Sequence, residues 1–583
     1  MKRAVLGIMP FLLLVCMLAF AFNVSVAEAS GTVYILADGS VDPAYAPIQR
    51  SGDLYSLTGD IYDSIVVQRN NVVLDGAGHI VQGTGTQGSK GISVSARINV
   101  TVTNTRITNF YQGIWLNSSS SNIISGNVIT ANRNSGILLQ SSSGSIISGN
   151  NMAYNGIGVF LDSSSNNNCI NANVINASVV ISIVLQKFSS GNIICGNNII
   201  NRGIGVPTGI YLYSSSENVI SGNKITNSGY GIELANSSSN NCISGNVIAA
   251  NSKSGIWLQQ ASSGNILSGN NITANMEYGI YFISSSENVI SGNKMSNNIG
   301  GVRLSHSSKN IISGNFINAS LESGISLQSS SENTMSENNI TNNNHGILLE
   351  SLSNDNSISQ NNIASNQDGI TFTSSSNNDI INGNEITANM EYGIYFISSS
   401  VNTIYCNNIT ENSKDGILLS YSSKNIISRN NITANKGYGI KLSNSSSNSI
   451  SHNNFNGNMQ QAFVSPGYAN SWDYGFPSGG NYWSDYAGTD ANGDGVGDTP
   501  YVIYANNTDR YPLMRLWTSS WTPPAQEPVT SPLFEIFVDP AVLYALIIVG
   551  IALAIAAAFF VRSRRKKPPE VESPHLRKPS ATP

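Results

Sequence analysis

Ser215–Asn246 reads SSENVISGNKITNSGYGIELANSSSNNCISGN and states one short unit twice. The unit, SxNxISGNxIT followed by GIxL, recurs from Gly91 to Gly439 at spacings of mostly 22 to 24 residues. A fixed period of that length predicts a solenoid. The LxxLxL frame of leucine-rich repeats is absent. Helical repeats need longer units with apolar residues at 3.6-residue spacing. Here the apolar residues come as short alternations, such as Ile210-Tyr211-Leu212, Val219-Ile220 and Ile225, with Ser, Asn and Gly between them. That is a pattern of short strands and turns. About 23 residues hold three of each, so every repeat is one coil of an all-β, parallel β-helix.

Stacking explains the monotony. Coils pair at a strand spacing of ~4.8 Å, so equivalent side chains lie above one another. Anchoring each repeat on its Gly-Ile or nearest equivalent, including Gly156 and Ser182, gives about 16 coils, a rod of roughly 75–80 Å at that rise. Asn127, Asn150, Asn223, Asn246, Asn270, Asn293 and Asn315, each closing an SGN, are expected to form a ladder in which side-chain amides satisfy one another and the turn backbone. One block, ITANMEYGIYFISSS, occurs at Ile272–Ser286 and again, identical, 114 residues later at Ile386–Ser400. Duplication of coils suits a scaffold or an extended face better than a single built active site.

The repeats occupy 91–462. Residues 30–90 hold more charge and Tyr and are assigned to an N-terminal cap and first coils; 463–517 form the C-terminal cap. A solenoid needs both, since its core is open at each end. The second cap carries GNYWSDYAGTDANGDGVGDTPY. Asp490, Asn492 and Asp494 stand at positions 1, 3 and 5 of a calcium-type loop, with Gly495 at 6, the Val496 carbonyl at 7 and Asp498 at 9. Tyr501 replaces the usual Glu at 12, so Asp485 or Asp509 would have to complete the shell. Calcium is the expected cofactor, in a structural role; Asp and Gly capping a plain turn is the alternative.

Both ends of the chain read as membrane-targeting. Residues 1–29 resemble a secretory signal: basic Lys2-Arg3, an apolar stretch, then Ala27-Glu28-Ala29. Residues 518–540 form a Pro-rich linker, and 541–561 are an uncharged apolar run of bilayer length. The tail, 562–583, opens with Arg562-Ser563-Arg564-Arg565-Lys566-Lys567, which places it in the cytoplasm and the rod outside, on a single-pass C-terminal transmembrane helix. The net charge is −5, and no broad basic patch speaks for nucleic acid. Cys169, Cys195, Cys242 and Cys406 show no CxxC spacing and read as small buried thiols. Asn-x-Ser/Thr triplets at Asn236, Asn271, Asn339, Asn408 and Asn431 are glycan acceptors in an exported chain.

The GIxL…SxNxISGNxIT coil, the opening VVLDGAGHIVQG and the closing GNYWSDYAGTDANGDGVGDTPYVI…DRYPLM resemble the NosD-type β-helix proteins, surface-anchored archaeal members above all, over about Gly31 to Met514. The resemblance implies a right-handed coil and an extracytoplasmic location. Some relatives help supply copper to nitrous-oxide reductase, and the wider β-helix class includes polysaccharide lyases and hydrolases. Copper wants clustered His, Met or Cys. His79, His306, His345 and His452 are scattered, which argues against it. Glu217, Glu233, Glu277, Asp368, Glu391 and Asp415 are sparse and name no catalytic pair.

In GIxL the Ile and Leu point inward and x points out. Five x residues are aromatic: Trp115, Tyr211, Trp257, Tyr281 and Tyr395. Rings on a rigid ladder can stack on sugars. The alternative is that they only pack on one another. The sequence thus predicts a membrane-anchored cell-surface β-helix with a structural or glycan-binding role, partnered by the membrane and surface polysaccharide. A carbohydrate-active lyase or hydrolase is the second reading and a copper accessory factor the third.

Overall fold

The computed structural model describes residues 31–176, 178–201 and 207–518. The signal segment 1–29, the linker beyond Thr518, the span 541–561 and the tail 562–583 lie outside them. Among the described residues no helix is long and apolar enough to cross a membrane.

Every coil contributes one strand to each of three parallel sheets. In the coil after Pro207 these are Thr208–Tyr213, Val219–Ser221 and Lys224–Thr226. The first sheet runs from Val33–Ile35 to Gln460–Ser465, the second from Leu54–Leu57 to Ser449–Ser451, and the third from Ile80–Gln82 to Tyr482–Trp483. The third sheet has 18 strands rather than the expected 16. The additional coils come from the two segments read mainly as caps. Val72–Asp75 (VVLD) and Gln460–Ser465 (QQAFVS) keep the inward alternation but lack the SGN and Gly-Ile signatures. One anchor also shifts. Ile137 pairs with Val159, so Gly158, not Gly156, is the equivalent of Gly136; the stretch NGIGV offers both.

Inward residues form columns, one each of Ile225, Ile248, Ile272 and their equivalents, fully buried. The anchor glycine follows from coil-to-coil approach. A Cβ on Gly209 would stand 2.5 Å from both the Gly231 carbonyl oxygen and Ile225 Cγ2. Ser182 occupies the same position in its coil and turns its hydroxyl to Asn201 Oδ1 at 3.0 Å.

The asparagine ladder is one of three. In each rung the next coil's Oδ1 accepts both the backbone N–H and the side-chain amide of the rung before. Asn223 donates to Asn246 Oδ1 from N at 2.9 Å and Nδ2 at 3.0 Å, and Nδ2 also reaches the Ile194 carbonyl at 2.9 Å. Asn127, Asn150, Asn246, Asn270, Asn293 and Asn315 repeat this geometry. A second ladder precedes the second sheet (Asn218, Asn241, Asn265) and a third follows the third sheet (Asn366, Asn389, Asn412). Stacking thus satisfies the buried amides at the turns. Where Ser145 replaces Asn in the second ladder, Asn122 Nδ2 is left without a partner.

The ends are closed by local antiparallel strands and buried aromatics. Val41–Asp42 pairs with Val33–Ile35 and Ile48–Ser51 with Leu54–Leu57, covering the first edges of two sheets. At the other end the short strand Asn507–Asp509 terminates two ladders. Asn507 Oδ1 accepts from Asn470 and from Trp472 Nε1, and Asp509 Oδ2 accepts from the Asn481 N–H and Trp483 Nε1. Trp472 and Trp483 plug the core.

Candidate functional site

The outer face of the first sheet collects the chemistry. Its central outward column reads, in register, Tyr211, Glu233, Trp257, Tyr281 and Arg303 over five successive coils. Trp115 and Tyr395 stand on the same column, four coils to either side. Phe160 also belongs to it and was hidden by the shifted anchor.

The rings are half-buried and pack on a second outward column, three residues before x. Tyr230 stacks on Trp257, with centroids 4.4 Å apart and planes at 27°. Tyr278 lies 5.2 Å from Tyr281, and Tyr392 lies 5.0 Å from Tyr395. Lys90 Nζ sits 3.4 Å from the Trp115 ring centre and covers one of its faces. Burial raises the hydroxyl pKa of Tyr211 and Tyr278 to about 12 and pushes the Glu233 carboxyl upward, against hydrogen bonds from Thr208 and Gln259.

Polar groups flank the rings. Arg303 Nη2 donates to Gln328 Oε1 at 2.7 Å and reaches Glu350 at 3.5 Å; Tyr278 donates to Glu322 at 3.0 Å. Two coils on, His345 Nδ1 stands 3.3 Å from Asp368 Oδ2 and 3.2 Å from Thr371 Oγ1. The sequence separates His345 from Asp368 by a whole coil. Only the register His345↔Asp368 joins them, so no local motif could have shown the pair.

Glu217, Glu277, Glu391 and Asp415 do not meet in one place. Glu391 pairs with Lys414 at 2.7 Å, and Asp415 accepts the Tyr438 N–H at 2.8 Å.

The Asp490–Asp498 loop spends its oxygens on itself. Asp490 accepts the N–H groups of Asp494 and Gly495, Asp494 accepts that of Val496, Asn492 Oδ1 accepts that of Asp494, and Asp498 accepts that of Ala491. Asp485 is held by Tyr501 and Asp509 by the ladder ends, so neither turns to the loop. The loop's carboxylates are thus turned to its own backbone N–H groups. Among the described residues no three His, Cys, Asp or Glu side chains converge as a metal site needs. His79 sits by Asp60, His345 by Asp368 and His452 by the Ser478 carbonyl, on separate coils. These donors do not fit a copper site.

A family profile described as "Right handed beta helix region" matches residues 62–248 and 243–384, more than half of the chain. One described as "Periplasmic copper-binding protein (NosD)" matches 352–488. No curated protein matches the sequence. Similar solved structures include a variant of the periplasmic alginate epimerase AlgG (16% identity, 56% of this chain and 82% of that one, TM-score 0.33). Others are the A-module of the Azotobacter vinelandii mannuronan C-5 epimerase AlgE4 (12%, 55% and 91%, 0.33) and an alginate lyase from Paenibacillus (15%, 42% and 92%, 0.28). At such identities and TM-scores the likeness carries no argument about this chain. With its three sheets, stacked ladders and matched profile, the chain belongs to the right-handed β-helix family, and its residues 352–488 are similar to the NosD profile.

Proposed function

We propose that the outer face of the first sheet binds a polysaccharide along the rod, in a protein held at a cell surface by the span 541–561. The observation that carries this is the unbroken register Tyr211, Glu233, Trp257, Tyr281, Arg303, which sets three rings among two charged side chains at ~4.8 Å steps. Rings offer flat apolar area, and Gln259, Gln328 and Glu350 beside them offer hydroxyl partners. The test is retention of the full chain on acidic and neutral polysaccharide gels. Trp257→Ala with Tyr281→Ala is expected to abolish it, and unchanged retention would remove the proposal.

A second reading rests on His345 and Asp368. A partly buried imidazole oriented by a carboxylate on the same face suits a general base. Following polymer length in the same incubations decides between the two. Shortening that disappears in His345→Gln assigns catalysis, and constant length leaves a binding face. Calcium enters only as a ligand that would displace the internal bonds of the Asp490–Asp498 loop. A lower melting temperature in chelator would establish it, and unchanged melting would remove it.

A further inference from the structure

The second sheet is the opposite of the first. From Val100–Thr103 to Ser449–Ser451 the outward residues of its strands include no Asp, Glu, Lys or Arg. The first sheet presents Glu233, Arg303 and Asp368, and the third Lys224, Lys294 and Glu385. The five glycan-acceptor triplets named above lie off it, although a further one, Asn99-Val100-Thr101, runs into its strand Val100–Thr103. Asn271, Asn339, Asn408 and Asn431 point out from the third sheet, and Asn236 lies in the turn after the first.

What the second sheet presents is two straight columns. One is apolar over the successive coils from Ile123 to Ile311, through Ile146, Ile193, Val219 and Ile266 with Cys169 and Cys242 between; the other, two residues on, is mostly Ser. The isoleucines are open to solvent, Ile266 at 47% and Ile193 at 44%. The register between neighbouring strands never slips, so both columns run straight down the rod, with the ridge apolar from Ile123 to Ile311 and mixed with Thr334, Ser357 and Thr403 beyond.

We propose that this face pairs with the same face of a second copy, the two rods lying parallel. A ridge repeating every ~4.8 Å is matched row by row only by a surface with that same repeat. A two-fold axis along the rods lays the Ile ridge of each copy in the Ser furrow of the other, and such an isologous contact closes at two. The whole face is roughly 75 Å long and about 10 Å wide, close to the ~800 Å² that each partner of a standard stable interface gives, and the apolar run from Ile123 to Ile311 makes up about half of it. No charge has to leave water.

The test is native mass spectrometry of the full chain. The expected mass is twice the 61.9 kDa of one chain. Ile193→Lys with Ile266→Lys is expected to halve it, whereas Asn271→Lys on the third sheet keeps the dimer. A native chain of single mass, or a dimer that survives both lysines, overturns the proposal. Cys242 gives a measurement that needs no lysine. It lies on the ridge, whereas Cys406 lies in a turn. With Cys242 as the sole thiol, a short bis-maleimide is expected to join two chains; with Cys406 as the sole thiol it is not. Failure of Cys242 to cross-link overturns the proposal in the same way.

Discussion

The duplicated block allows a comparison that few proteins offer, because Ile272–Ser286 and Ile386–Ser400 are the same fifteen residues in two places. Their interiors agree. Ile272, Ile280 and Phe282 are fully buried, as are Ile386, Ile394 and Phe396. Their ring pairs agree too, at 5.2 Å and 50° against 5.0 Å and 42°. Their electrostatics do not. Glu277 accepts a hydroxyl from Ser254, whereas its twin Glu391 holds Lys414. Tyr278 lies under Arg303 and donates to Glu322, whereas Tyr392 lies under Lys414. Within a coil the sequence sets the fold and the ring geometry. The coil above and the coil below set the chemistry, so a repeat cannot be assigned a function by itself.

The largest expected effect lies in the ladder beside each block. The equivalent rungs are Asn265 and Asp379, again 114 residues apart. Asp379 Oδ1 accepts twice from Asn356, but Oδ2 stands where the other rungs carry a donating amide and has no partner. Burial pushes its carboxyl up to about 8. A folded-state pKa raised above the unfolded value means stability that is whole below about pH 4, declines as the pH rises, and is lost above about pH 8. Asp379→Asn is therefore expected to stabilise the chain by a few kcal/mol at pH 8, since each tenfold change in proton affinity is worth about 1.4 kcal/mol, and not at all at pH 4. Asn265→Asp should impose the same pH dependence on the first block. Urea unfolding at the two pH values checks both, and a pH-independent gain would mean that packing, not the proton, distinguishes the rungs.

The anchors come next. A Cβ on Gly393 would meet the Gly416 carbonyl oxygen and Ile409 Cγ2, both at 2.6 Å. On Gly279 it would meet the Gly301 carbonyl at 2.9 Å and Met295 Sδ at 3.1 Å. Overpacking costs about 1–3 kcal/mol, and an unbranched thioether yields more readily than a branched side chain. Gly393→Ala is expected at the upper end of that range and Gly279→Ala at the lower. Equal losses of melting temperature would show that the carbonyl contact alone sets the cost.

Much of this was legible in the sequence, for a definite reason. A solenoid converts a period directly into contacts, so coil, inward columns and amide stacking all follow from SGN and GIxL. The two further coils were harder to see because VVLD and QQAFVS keep the alternation and lose the punctuation. The pairing of His345 with Asp368 has no local motif; it follows only when HGI at His345 and DGI at Asp368 are stacked on their anchor glycines, one coil apart. The part played by Asn507 and Asp509 was not readable. Asp509 reads in the sequence as a carboxylate for the calcium-type loop and Asn507 as a plain turn residue, and only the stacked coils show that they end two ladders.

The smallest effect separates the two blocks on the outer face. Tyr281 lies between Trp257 and Arg303, inside the aromatic and charged run; Tyr395, in the same local sequence, lies between Thr371 and Leu418. A ring that works alone would contribute alike in both places. A ring that works as one step of a continuous platform contributes only where the platform continues. One aromatic contact is worth about 0.5–1.5 kcal/mol, so Tyr281→Ala is expected to weaken polysaccharide retention roughly five-fold, at about 1.4 kcal/mol per decade. Tyr395→Ala should leave it unchanged. Because the coils around the two rings differ, the melting temperature of each variant is measured beside retention, and retention is compared where both are folded. Equal weakening would place recognition in the individual ring pair, and the run from Tyr211 to Arg303 would lose its claim to be the site.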